Sequence, residues 1–248
     1  MASNSFKCKQ FSVTQLHSAM KVGTDSLILG SWAIASVNKE NTKLNVLDIG
    51  CGTGLLTLML AQKLAEVNGQ FTAVELDAGA CVDAQYNFSQ SPWSQCIQLF
   101  NCDIQSYPDI TRFQRIICNP PYFTAGQTIE QSRAVARLQT HLNWHILAEQ
   151  ISLRLSYGGF AELVFPFSDL VEVKQIFSQV NLFSVAELHI YPKESDTSAK
   201  RVCVRFEKTA QNRTKMTIPE VNQLVIYNQQ NHYTTDYRNL CRDYYLNF

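Results

Sequence analysis

A doubly wound α/β fold, a mostly parallel sheet with helices on both faces, is predicted by three features of the sequence. Short apolar runs alternate with longer stretches of helical periodicity. Those runs are continuously apolar, as in strands covered on both faces, and a glycine-rich turn joins the first of them to a helix. The 248 residues suit one large domain, and 46% apolar against 17% charged residues supply a core and argue against disorder. Basic and acidic residues balance at 21 each, so net charge gives no whole-molecule attraction to nucleic acid and leaves only a local patch. No apolar run approaches the roughly 20 residues of a membrane span, and Met1–Gln10 lacks the apolar stretch of a signal peptide. Eight cysteines without a C-x-x-C pair read as free, buried thiols of the reducing cytoplasm.

Taken in order, the chain first offers a helix through Ile34, capped by Thr24 or Asp25. A polar linker, Asn38 to Lys43, leads to strands at Leu44–Ile49, Gln70–Glu75, Ile97–Asn101, Arg115–Cys118 and Phe160–Phe165. Helices are expected at Leu55–Ala65, Ala78–Phe88 and Trp144–Tyr157. In the last of these, Trp144, Leu147, Ile151 and Leu155 draw one apolar stripe, and Gly158-Gly159 ends it. Leu170, Val173, Phe177 and Val180 mark a further helix before late strands at Val185–Tyr191 and Arg201–Phe206. No internal repeat is present.

In such sheets ligands bind beyond the carboxyl ends of the strands, so the residues just after each strand carry the functional information. After the first comes Asp48-Ile49-Gly50-Cys51-Gly52-Thr53-Gly54, a G-x-G-x-G spacing that departs from the G-x-G-x-x-G of dinucleotide sites. Its glycines allow a sharp turn and close approach of backbone to ligand, and Asp48 would suit a cofactor with a positive charge or amino group. Glu75, about 25 residues beyond Gly50, stands where a carboxylate takes both hydroxyls of a ribose, whereas Asp77 before Ala78 reads as a helix cap. Cys102-Asp103-Ile104 puts a third acid on the same edge.

The fourth strand runs into Asn119-Pro120-Pro121-Tyr122. Two prolines cannot continue a ladder, so carbonyls are left free. The Asn119 amide oxygen and the Pro120 carbonyl can both accept from one –NH2 group, and Tyr122 offers a flat face to a planar substrate.

The ordered set D-I-G-C-G-T-G, Glu75, Cys102-Asp103 and N-P-P-Y resembles the class I S-adenosylmethionine-dependent methyltransferases that modify planar amino groups. The resemblance runs from about Gln10 to Phe248. It implies a Rossmann-like, mostly parallel seven-stranded sheet with an antiparallel late strand, and S-adenosyl-L-methionine as cofactor. Asp48, Gly50, Cys51, Gly52 and Gly54 would border its methionine part, Glu75 and Leu76 its ribose, Asp103 and Ile104 its adenine. Asn119 and Pro120 would position the acceptor amine, with Tyr122 stacking on the base.

Only about 43 residues precede the first core strand and about 40 follow the last, too few for the extra domains of release-factor glutamine or restriction-type DNA enzymes. Gln10-Phe11, the run Met20 to Leu27, and the tail Tyr233-Thr234-Thr235-Asp236-Tyr237 with Arg242-Asp243-Tyr244-Tyr245-Leu246 are similar to one family. These are the bacterial tRNA adenine-N6 methyltransferases that act on adenosine 37, just 3′ of the anticodon of a valine tRNA. The likeness implies an extension, residues 1–43, packed over the cofactor site with Lys21 and Asp25 beside it. A core over 44–208 and a C-terminal extension of the same domain over 209–248 would follow. It also implies tRNA as partner, no membrane or metal, and a cytoplasmic monomer or weak homodimer. Phe123, Arg133, Arg137, Lys200 and Arg201 are candidate substrate contacts, the last two within a basic stretch with Arg205, Lys208, Arg213 and Lys215.

Guanine N2 of ribosomal RNA, protein glutamine, and a silent RNA-binding relative stay open as alternatives. His141 and His145 lack the glutamate and third ligand of a zinc site. No G-x-S-x-G elbow is present, and the aromatic tail Tyr244, Tyr245 and Phe248 reads as packing.

Overall fold

Alternating strands and helices place one eight-stranded sheet at the centre of the molecule. The structure is a computed structural model that describes residues 5–34, 44–108, 111–121, 142–210 and 218–248. A hairpin of β1 (Ser5–Lys7) and β2 (Ser12–Thr14) precedes α1 (Thr24–Trp32). Then come β3 (Leu44–Ile49), α2 (Leu55–Lys63), β4 (Gly69–Glu75), α3 (Ala78–Ser89), β5 (Ile97–Asn101) and β6 (Phe113–Cys118). The second half holds α4 (Trp144–Arg154), β7 (Leu155–Pro166), α5 (Leu170–Ser178), β8 (Leu182–Lys193), β9 (Arg201–Lys208), β10 (Glu220–Tyr227) and α6 (Thr235–Cys241). The linker expected over Asn38–Lys43 lies outside the described residues.

The spatial order is β10–β8–β9–β7–β6–β3–β4–β5. β3 pairs in parallel with β4 on one side and β6 on the other, so the strand order reverses at β3. That reversal opens a crevice above the carboxyl ends of β3 and β6. Five of the six β3 residues are buried, as the middle strand of a sheet covered on both faces requires. Leu47 and Ile49 join the core beneath α4 and α5, whereas Val46 joins the core with α1 and α2.

Three expectations change. The sheet has eight strands in place of seven, because β10 adds in parallel to β8 while β9 runs antiparallel between β7 and β8. β10 was not legible because its first four residues are exposed and only Leu224 and Ile226 are buried, too short an alternation to read as a strand. Helix α4 stops at Arg154, and Gly158-Gly159 lies inside β7 instead of ending a helix. Gly158 takes φ +71°, and the β6–β7 register shifts between the Phe113–Leu155 and Arg115–Phe160 pairs. Leu155 extended the helical stripe in the sequence because it is fully buried from its place in the strand as well. Finally, α1 starts from Gly23 with no side-chain cap; Asp25 lies in its first turn.

All eight thiols are free and six are buried. The aromatic tail packs: Tyr244 donates to the Met59 carbonyl at 3.0 Å, and Tyr245 stacks on Phe248 at 4.4 Å between centroids. Among the described residues no helix is long and apolar enough to cross a membrane.

Candidate functional site

The crevice holds a cavity of about 660 Å³, within the range of small-molecule sites. Its walls come from the ends of four strands: Ile49 to Thr53 after β3, Val74 to Ala78 after β4, Cys102 to Ile104 after β5, and Asn119 to Pro121 after β6. Ser18 to Gly23, Asp25 and Ser26 of α1, Leu55 and Leu56 of α2, Ala80 of α3 and Leu142 complete it. Of the sequence candidates, Gly50, Cys51, Gly52, Glu75, Leu76, Asp103, Ile104, Asn119, Pro120, Lys21 and Asp25 all border this one cavity.

The glycine loop shows two uses of the same residue type. Gly50 and Gly52 have φ of +69° and +56°, and a Cβ there would meet nothing within 4 Å. Backbone thus stands against open space, as a cradle for a ligand requires. Gly54, φ +83°, does not border the cavity; a Cβ on it would lie 2.4 Å from the Phe88 ring, so it serves helix packing.

Glu75 is buried, and its two oxygens accept from the Gly52 N–H and the Asp77 N–H, each at 2.8 Å. One carboxylate thereby ties the glycine loop to the β4–α3 turn, and each oxygen keeps a lone pair for a hydroxyl donor. Burial pushes its carboxyl above the usual range, against the lowering by those N–H groups. Asp77 caps α3 through the Ala80 N–H at 2.8 Å, as its place before Ala78 implied. Asp103 caps the following turn through the Gln105 N–H at 2.8 Å. Beneath that turn, buried Arg154 donates to the Ile104 and Tyr107 carbonyls at 2.8 and 3.0 Å and holds the edge in shape.

Asp48 departs from its expected place. It lies behind the loop, outside the cavity wall, and accepts from the Thr57 hydroxyl at 2.6 Å. Burial raises its carboxyl from the ordinary carboxylate range to about 7.

At the end of β6 the Asn119 amide is hydrogen-bonded to α1. Its Nδ2 donates to Ser26 Oγ at 2.8 Å, while its Oδ1 is buried with no hydrogen-bond partner. Asp48 Oδ1, Gln62 Oε1 and Glu162 Oε2 are likewise buried without a partner, but of these residues Asn119 alone borders the cavity, where a ligand can supply the donor. Tyr122, Phe123, Arg133, Arg137 and His141 lie outside the described residues.

Sequence reasoning missed what holds the Ser18–Gly23 wall. Asp83 and Asn87, one turn apart on α3, are both buried. Asp83 accepts from the His17 and Ser18 N–H groups at 2.9 and 2.8 Å, and His17 Nδ1 lies 2.9 Å from it. Asn87 accepts from Thr14 N–H at 2.8 Å and donates to the Thr14 and Thr53 carbonyls at 2.9 Å, joining the N-terminal segment to the glycine loop. The available signal was two polar residues at i, i+4 within the apolar set Ala80, Cys81, Ala84 and Phe88.

Three described residues of the basic stretch make internal contacts. Arg201 Nε donates to Asp25 at 3.1 Å. Arg205 Nε donates to buried Glu162 at 2.8 Å and lies over the Trp32 ring. Lys208 is buried and donates to the Ser152 and Leu155 carbonyls. Lys200 is exposed outside the cavity wall, and Arg213 and Lys215 lie outside the described residues. Among the described residues no group of side chains could hold a metal ion.

Among solved structures the chain resembles one described as a predicted O-methyltransferase from Agrobacterium tumefaciens. The TM-score is 0.65 at 16% identity, over 89% of this chain and 96% of that one. At that identity the likeness speaks for the fold alone, which is that of the class I methyltransferases. A family model described as the methyltransferase small domain matches residues 17–149. A Histophilus somni protein named tRNA1(Val) (adenine(37)-N6)-methyltransferase is 39% identical over 98% of both chains. A Haemophilus influenzae protein of the same name is 40% identical over 98% of this chain and 99% of its own. The chain belongs to the methyltransferase small-domain family, in the group formed by these relatives, and is a methyltransferase.

Proposed function

We propose that this chain transfers the methyl group of S-adenosylmethionine to the exocyclic N6 of adenosine 37 in the anticodon loop of a valine tRNA. The observation that carries the reading is the Asn119 amide, with Nδ2 engaged by Ser26 and a buried Oδ1 awaiting a donor beside Pro120. The relatives named for that reaction, matched over nearly their whole length, support the choice of acceptor.

The cavity's donor set fits the cofactor. Glu75 keeps lone pairs for ribose hydroxyls, Asp103 and Ile104 stand where the adenine would lie, and Gly50 and Gly52 leave backbone open toward a methionine portion. Leu76, Cys51, Lys21 and Asp25 complete the contact surface. When bound, the cofactor supplies a methyl already activated on a sulfonium, so little covalent work falls to the protein. The difficulty is the acceptor, whose amino lone pair is delocalised into the purine ring. Acceptor bonds from Asn119 Oδ1 and the Pro120 carbonyl draw the amine toward tetrahedral geometry and aim its lone pair, a matter of positioning and preorganised electrostatics. The amine's surplus proton leaves to water. Tyr122 and Phe123 would return roughly 1–3 kcal/mol by stacking on a base displaced from its loop. Lys200, with Arg133 and Arg137, would meet phosphates; the reading includes a cytoplasmic monomer or weak homodimer without a metal.

The test is methyl transfer to tRNA that lacks the modification, followed by nucleoside mass spectrometry and mapping. N6-methyladenosine at position 37 supports the reading. Unmodified tRNA alongside methylated guanine in ribosomal RNA, or methylated glutamine in a protein, overturns it.

A further inference from the structure

We infer that Asp83, which does not itself border the cavity, is a positioning residue for the cofactor: it fixes the Ser18–Gly23 wall and so sets how tightly S-adenosylmethionine is held. The inference rests on the reading above, that the cavity takes this cofactor.

Ser18 to Gly23 border the cavity as consecutive residues that belong to no helix or strand. Such a segment has no ladder of its own, so side chains must hold its backbone. Some of its bonds only close it on itself. Gln15 Oε1 accepts from the Val22 N–H at 2.9 Å, the Gln15 carbonyl accepts from Lys21 Nζ, and Ser18 Oγ donates to the Met20 carbonyl at 2.8 Å. Asp83 instead ties the segment to α3. Its Oδ2 accepts from the His17 and Ser18 N–H groups at 2.9 and 2.8 Å, and its Oδ1 lies 2.9 Å from His17 Nδ1.

The direction of the backbone bonds is fixed by chemistry, since an N–H only donates and an ionised carboxylate only accepts. Burial pushes the Asp83 carboxyl up, but the His17 ring and the Ser18, His17 and Leu16 N–H groups outweigh it and hold the carboxyl below the ordinary range. Helix α3 is also part of the cavity, because Ala78 and Ala80 border it. At Gly79 between them a Cβ would lie 3.0 Å from the His17 carbonyl, so the segment passes directly over the first turn of the helix. One helix thus carries a share of the cavity and, through Asp83, the wall opposite the glycine loop.

A wall that is in place in only a fraction of molecules weakens apparent affinity by that fraction, because the ligand must then draw the wall in. Once cofactor saturates, the wall is in place again and the bound complex reacts as before. Loss of the Asp83 acceptors should therefore raise the KM for cofactor and spare kcat. By linkage, cofactor must in turn steady the wall.

The experiment uses the full chain with Asp83→Ala, Asp83→Leu and Asp83→Asn. Alanine leaves space, leucine fills it, and neither offers an acceptor; asparagine keeps an oxygen for both N–H groups. Calorimetry gives S-adenosylmethionine affinity, methyl transfer to an anticodon stem-loop gives KM and kcat, and a thermal midpoint is taken for each protein. Asp83→Ala and Asp83→Leu are expected to weaken cofactor binding about tenfold, the equivalent of one net hydrogen bond, with kcat within about twofold of wild type. Asp83→Asn should restore most of the affinity. Unchanged affinity in the Ala and Leu variants overturns the inference, as does a lowered thermal midpoint with the affinity of the folded molecules intact, or an Asn variant as weak as Ala. Should neither Ala nor Leu fold, wild type decides: amide exchange at His17 and Ser18 is expected to slow several-fold when S-adenosylmethionine binds, and unaltered exchange overturns the inference. A wild type that binds no S-adenosylmethionine overturns the functional reading and this inference together; a wild type that binds it, with variants that bind equally, discards Asp83 alone.

Discussion

The two halves of the sheet treat their polar side chains in opposite ways. At the ends of β3 to β6, Glu75, Asp103 and Asn119 hold backbone or a neighbouring hydroxyl and also border a cavity. In β7 to β9, Glu162, Arg205, Lys208 and Glu187 are directed into the fold. Glu187 alone accepts from Lys174 at 2.6 Å and from Ser184 at 3.0 Å, with His189 Nε2 at 3.0 Å. The first half turns polar groups to a cavity and the second turns them to itself. A run of basic residues is thus no guide to a binding surface until its partners are known, and here those partners are carboxylates and carbonyls far away in sequence.

That contrast can be broken by substitution, because one half should move stability and the other activity. Arg205→Ala leaves Glu162 fully buried without its guanidinium partner, a loss expected to cost roughly 3–5 kcal/mol. Chemical denaturation should record that loss, while transfer per folded molecule stays near wild type; a loss of activity beyond the unfolded fraction would join the two halves. Glu75→Ala removes a charged acceptor from the cavity and should weaken cofactor affinity about 10- to 100-fold, read by calorimetry. Unchanged affinity would take Glu75 out of the site.

Smaller effects sharpen the comparison. Asp48 carries its carboxyl at about 7 in the fold against an ordinary 3.8. A raised value means that its contribution is full below about pH 4 and is lost as pH rises through 7. Asp48→Asn should remove that part of the pH dependence, so the variant gains on wild type in thermal midpoint between pH 5 and pH 8; parallel curves would contradict the assignment. Lys200→Ala should change tRNA affinity the least, about threefold or less, with the salt slope reduced by about one. A larger loss would make the turn before β9 a principal RNA contact.

The fold and the strand-end motifs were legible because their signals are local. Continuous apolar runs mark β3 and β6, and G-x-G and N-P-P impose backbone constraints that any reader of the chain can see. What was not legible depends on distant partners. Asp48 reads like its neighbours in the glycine loop, and only Thr57 and the depth of burial show that it faces away from the cavity. Arg205 and Lys208 read as surface cations until Glu162 and the Leu155 carbonyl are brought to them. Ser26 reads as part of a helix start, and its contact with Asn119 appears only when β6 delivers that residue to it. Strand β10 escaped because half of it is solvated.

The central claim is that Asn119 acts on the acceptor amine through an oxygen kept open for it. The most direct measurement is the single-turnover rate of Asn119→Ala at saturating S-adenosylmethionine, with cofactor affinity titrated in parallel. A rate lower by about 100- to 1000-fold, the loss typical of one preorganised group, is expected, with cofactor affinity close to wild type. A rate near wild type, or a loss of rate that merely follows a loss of cofactor binding, would contradict it.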